Sequence, residues 1–121
     1  MIDGRILQPP RAPRPVEVPP PRVHDPRLRA VLPPDARLLE LYAGASWAEG
    51  PAWWAEQNAL VFSDVIGRRT LAWRDDGSVV SIVDPSAFAN GNAVDGNCAF
   101  DADERRLFLT GDADLWMLEL R

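Results

Sequence analysis

The chain has 121 residues, 46% of them apolar, with five Trp, one Cys and a formal net charge of −5, values that fit a single folded domain with its own core. Charge is divided unevenly, +3 over residues 1–34 and −8 over residues 35–121. So acidic a body lacks the clustered cations that grip phosphate, which excludes nucleic acid as a partner. No apolar run approaches the ~18 residues of a membrane-spanning helix. The N-terminus also lacks the apolar stretch of a secretory signal, so no membrane role and a cytoplasmic address are expected.

Ten of the twelve prolines fall within residues 1–34, as in ILQPPRAPRPVEVPPPRVHDP. Proline fixes φ and removes an amide donor, so this segment reads as an extended, partly polyproline-like arm. HDPRLRAVL carries Leu28, Val31 and Leu32 at helical spacing and has room for about one turn. His24, the only histidine, lies in this arm with no second His to make a metal or catalytic pair.

From Ala36 the pattern turns β-like. Leu38–Tyr42 reads as a short strand ended by Ala43-Gly44. Gly50-Pro51 leads into Ala52-Trp53-Trp54, and the polar turn Glu56-Gln57-Asn58 precedes Leu60-Val61-Phe62. Gly67 breaks the chain before Thr70–Trp73, and Val79–Val83 closes the set. Asp75-Asp76-Gly77 is a hairpin turn, because Asp-Gly tolerates the positive φ that tight turns need. Short strands joined by tight turns make an antiparallel meander. Adjacent Trp53 and Trp54 must face opposite sides of their strand, one into the packing between sheets and the other toward an edge or channel.

The last third starts the meander again. A shift of 47 residues lays Ala52-Trp53 on Ala99-Phe100 and Leu60-Val61-Phe62-Ser63 on Leu107-Phe108-Leu109-Thr110, and it makes DLWMLEL the counterpart of Thr70–Trp73. That period matches the ~40–50 residues of a propeller blade. The expected organisation is an arm over residues 1–34 and a β body over 35–121, with blade-like units at about 36–84 and 95–121.

Nucleophilic Ser/His/Asp chemistry is excluded, because the only His lies in the arm and no Gly-x-Ser-x-Gly elbow is present. SAFANGNAVDGN lacks the lysine of a phosphate loop. Asp-x-Asp at 101–103 and 112–114 lacks the glycine and terminal Glu of an EF-hand and reads as solvated turns. Cys98 excludes an internal disulfide and a cysteine metal cluster. Its apolar neighbours suggest a buried thiol.

The ordered set WAEGPAW, LVFSD, RTLAWR-DDG and FANGN resembles the gluconolactonase / senescence marker protein / luciferin-regenerating enzyme-like family over roughly residues 25–93. NCAFDADERRLFLTG is also similar to a segment of the glutaminyl cyclotransferases. The first resemblance implies an all-β fold, about two blades of a six-bladed β-propeller-type fold built from antiparallel four-stranded meanders. It implies a metal-dependent hydrolase of sugar lactones, with a calcium or zinc ion in the central channel. Glu49, in the EGP motif, matches a family metal ligand. Asn90, the first Asn of FANGN, matches a residue on the substrate side, and Asn92 accompanies it. Hard oxygen ligands suit calcium, and zinc also accepts them. Such a cation polarises a carbonyl and lowers the pKa of bound water. The other family ligands, an Asn and an Asp of later blades, have no matching position in this sequence. The alternative expectation is a non-catalytic split-propeller fragment with a structural role, self-associating through uncovered blade faces.

Overall fold

Alternation of apolar and polar residues after Ala48 is what makes this half of the chain sheet-forming, since successive side chains must face opposite sides. A computed structural model describes residues 4–87, 89 and 98–121. In chain order their strands are β1 (Ile6–Gln8), β2 (Arg14–Pro15), β3 (Leu39–Tyr42), β4 (Ala48–Trp54) and β5 (Ala59–Asp64). They continue with β6 (Arg69–Arg74), β7 (Val79–Val83), β8 (Cys98–Phe100), β9 (Arg106–Gly111) and β10 (Asp114–Glu119). They form two antiparallel five-stranded sheets, β1-β7-β6-β5-β4 and β2-β3-β10-β9-β8. The all-β expectation holds, and each meander gains one strand from the N-terminal arm.

The 47-residue repeat is a repeat of register. Ala52 pairs with Val61 and Trp53 with Leu60. The shifted positions pair the same way, Ala99 with Phe108 and Phe100 with Leu107. One strand further on the offset falls to 45 residues, and Leu60–Trp73 and Phe62–Leu71 correspond to Leu107–Leu118 and Leu109–Trp116.

Leu39–Tyr42, expected in the unit at 36–84, lies in the other sheet. Tyr42, Glu40 and Leu39 pair with Leu115, Trp116 and Met117 of β10. The second sheet has only three strands from the C-terminal third, so β3 fills its fourth place. A bulge in this pairing lets consecutive Leu41 and Tyr42 both be buried in the core.

The core lies between the sheets. Leu60, Phe62, Leu71, Trp73 and Val79 of the first meet Leu41, Tyr42, Phe108, Leu115 and Met117 of the second. Trp53 stacks on Phe108 with centroids 5.8 Å apart and planes at 12°, while Tyr42 meets Phe62 edge-on at 6.0 Å. Trp53 is thus the inter-sheet member of the tryptophan pair, and Trp54 is half-buried on the other side.

The arm straps the outer edges together. β1 pairs with β7 and β2 with β3. Between them, the Gln8 amide donates to the carbonyls of Leu41 and Gly77, one on each sheet, at 2.8 and 2.7 Å. Arg11 donates its amide to the Asp76 carbonyl and pairs with Glu40 at 3.0 Å. The segment expected to turn once is a short 3-10 helix, Pro26–Ala30, whose first amides are capped by Asp25.

Gly77 shows how closely the strap lies. Its φ is +86°, and a Cβ there would sit 1.7 Å from the Arg11 carbonyl oxygen. Gly77→Ala must therefore strain the turn and push the strap away. A loss of about 1–3 kcal/mol is expected, read as a lower urea midpoint with an unchanged slope.

Candidate functional site

β4 is the edge strand on the side where the two sheets approach each other, and its first residues carry the motif that contains Glu49. What fixes that entry is Asp64, at the end of β5. Its carboxylate is fully buried and accepts from the amides of Ser46, Trp47 and Gly67 at 2.9, 3.0 and 3.1 Å. The Arg69 guanidinium adds a bond at 2.8 Å. Gly67 leaves the room this needs, because a Cβ would lie 2.0 Å from the carboxylate. Burial pushes the Asp64 pKa up, but Arg69 and the three amides outweigh it and hold the carboxyl below its usual range. Asp64 in turn raises the pKa of Arg69. Tyr42 next to them is raised, chiefly by burial. Asp64 thus ties the loop before β4 to the β5–β6 turn.

Glu49 pairs in register with Ser63, one residue along from buried Ala48, and so takes the face of the first sheet that points away from the second. Its Oε1 accepts the indole N–H of Trp47 at 2.8 Å. Trp47 is 43% exposed, so the pair faces solvent. Asn90 and Asn92 lie outside the described residues. Among the described residues no three His, Cys, Asp or Glu side chains converge as a metal site. One carboxylate engaged by an indole does not fit a calcium shell of six to eight oxygens or a four-coordinate zinc.

A second buried carboxylate is Asp101, expected in a solvated turn. It accepts from the amides of Arg105 and Arg106 at 2.8 and 3.1 Å and from the Arg106 side chain at 2.7 Å. Burial raises its pKa, but the Arg106 side chain and these amides carry it below the usual range. Arg106 also pairs with Asp75 of the first sheet's β6–β7 turn. Its guanidinium lies 5.3 to 5.8 Å from the ring centroids of Trp53, Phe108 and Trp73. Asp64 and Asp101 share a readable signal, an Arg five positions later. Neither stood out from the other acids, because burial is what gives that spacing its meaning.

No protein-family model and no curated protein matches the chain. Solved structures do, among them the following two. One is a gluconolactonase of Xanthomonas campestris described as important in glucose secondary metabolic pathways. It is 45% identical, with a TM-score of 0.69, over 87% of this chain and 33% of its own. The other, provisionally assigned as a gluconolactonase, is 28% identical with a TM-score of 0.55, over 78% of this chain and 34% of its own. The chain therefore spans about one third of the length of the proteins it matches.

Proposed function

We propose, from the premise that this chain is homologous to one third of a gluconolactonase, that it supplies one wall of a lactone-hydrolase site. The observation that carries this reading is the position of Glu49. It lies at the start of an edge strand, on a solvent-facing surface, directly after a loop locked by Asp64. In this reading Glu49 would give one carboxylate to a divalent cation whose other ligands, an Asn and an Asp by the family resemblance, have no matching position in this sequence. Asn90 and Asn92 face a sugar lactone.

Calorimetric titration with calcium and with zinc, alongside hydrolysis of glucono-δ-lactone, tests it. Glu49→Gln is expected to weaken cation affinity by at least about 100-fold, the upper end for residues that merely orient a ligand, and to reduce hydrolysis to the buffer rate. Unchanged affinity and activity in that variant would remove Glu49 from the role. The span of one third favours a second reading, a non-catalytic blade pair. Under it the unaltered chain hydrolyses no lactone at saturating cation, while Glu49→Gln leaves its melting temperature where it was.

A further inference from the structure

The five tryptophans divide by place. Trp53 and Trp73 pack between the sheets, and Trp54 and Trp116 are half-buried on their strands. Trp47 stands in a loop, 43% exposed, yet it is held at three points. Its amide donates to the buried Asp64 carboxylate at 3.0 Å, and its carbonyl accepts from the Val65 amide at 2.9 Å. Its indole N–H donates to Glu49 Oε1 at 2.8 Å. Ile66, the residue after Val65, is 63% exposed and adds apolar surface at the same end. An aromatic ring left in water gives the fold little of the burial that makes such residues stabilising. The fixed aim of this one therefore points to a ligand.

The chemistry of the pair narrows what that ligand is. The indole N–H is already bonded, so the ring still presents its π-face, which is negative and attracts polarised C–H bonds. Glu49 keeps a second carboxylate oxygen, and among the described residues no donor reaches Oε2. An apolar protein surface laid over the pair would bury this carboxylate with a single hydrogen bond, which is costly. A ring with C–H bonds on its face and hydroxyls around its edge satisfies both partners. The −8 charge of residues 35–121 disfavours an anion, so the ring is neutral.

We propose that the Trp47 indole is the platform on which a neutral pyranose ring stacks, with Glu49 Oε2 accepting one of its hydroxyls. The proposal takes the class of ring from the lactone-hydrolase reading and rests on it to that extent. It adds a binding residue, Trp47, whose contact with the ring needs no cation. Asp64 holds the amides of Ser46 and Trp47 from within the fold, and Glu49 holds the indole edge. The platform is thus set before a ligand arrives, which lowers the ordering cost of binding.

Saturation-transfer NMR of the full chain with methyl β-D-glucopyranoside, in EDTA so that no cation takes part, tests this. Saturation is expected to reach the axial protons of one ring face more than those of the other. Sorbitol, which carries similar hydroxyls without a ring, is expected to receive none. Trp47→Ala is expected to abolish the transfer. Trp47→Phe keeps an aromatic face without the N–H, so it is expected to retain most of it, which guards against an alanine variant that misfolds. No transfer from the unaltered chain, equal transfer from Trp47→Ala, or equal transfer to sorbitol overturns the proposal. So does a Trp47→Phe protein that loses the transfer with unaltered circular dichroism. Displacement of the glycoside by equimolar tetramethylammonium also overturns it, since that outcome marks a site for organic cations. Hydrolysis of lactone without this transfer removes the platform alone, whereas transfer without hydrolysis removes the lactone-hydrolase reading and leaves the platform standing.

Discussion

Asp64→Ala is expected to remove a large share of the stability of the fold. The substitution leaves three amides and the Arg69 guanidinium without their shared acceptor. Breaking a buried ion pair from one side costs about 3–5 kcal/mol, against a total of about 5–15 kcal/mol for a domain. Asp64→Asn keeps the shape and one acceptor oxygen but loses the charge, so its loss should be smaller. Urea titration followed by tryptophan fluorescence would measure both, and a change under about 0.5 kcal/mol for the alanine variant, the range of ordinary surface substitutions, would contradict the role given to Asp64.

The same carboxylates set the response to acid. Asp64 and Asp101 titrate below the ordinary range in the folded chain, so the unfolded chain takes up their protons first as pH falls. Their contribution is complete above the ordinary carboxylate pKa of about 4 and is lost as pH drops through the lower folded values. Stability should therefore fall steeply below that point, and Asp64→Asn should flatten the slope.

Arg106→Ala is the second large effect. One guanidinium neutralises Asp101, reaches Asp75 on the other sheet and covers the Trp53–Phe108 stack. Removing it strands the Asp101 carboxylate, at about 3–5 kcal/mol, and forfeits a desolvated cation–π contact of about 2 kcal/mol. These overlap and do not add. Arg106→Lys should recover only part, since an ammonium lacks the planar fork that serves two carboxylates at once. A red shift of tryptophan emission before the main unfolding transition would show the sheets parting at this point. A variant that melts with the unaltered chain would disprove the clamp.

Much of the fold was legible because its signals are local. Alternation from Ala52 to Val83, the Asp76-Gly77 turn and the 47-residue shift each depend on neighbours in sequence, and the sheet registers agree with them. The placement of β3 was not legible. Leu38–Tyr42 has the same alternation whichever sheet it joins, and only the vacant edge of β10 decides. The strap was equally hidden, because proline-rich composition forecasts an extended chain but not the edges it lies along. At the candidate site the EGP motif marked Glu49, whereas Asp64 looked like the end of a strand. Its importance comes from four donors that meet only after folding.

The position of β3 also bears on the order in which the molecule can assemble. β4 to β7 pair with their neighbours in sequence and can close as hairpins on the microsecond scale. Leu39 waits for Met117, so the second sheet must close a loop that encloses four of the first sheet's five strands, and the entropy of that closure opposes the step until it is made. Pairings this distant slow folding. On a ribosome the first sheet would be formed while β3 still presented an unpaired edge, and the chain would be most exposed to wrong partners in that interval.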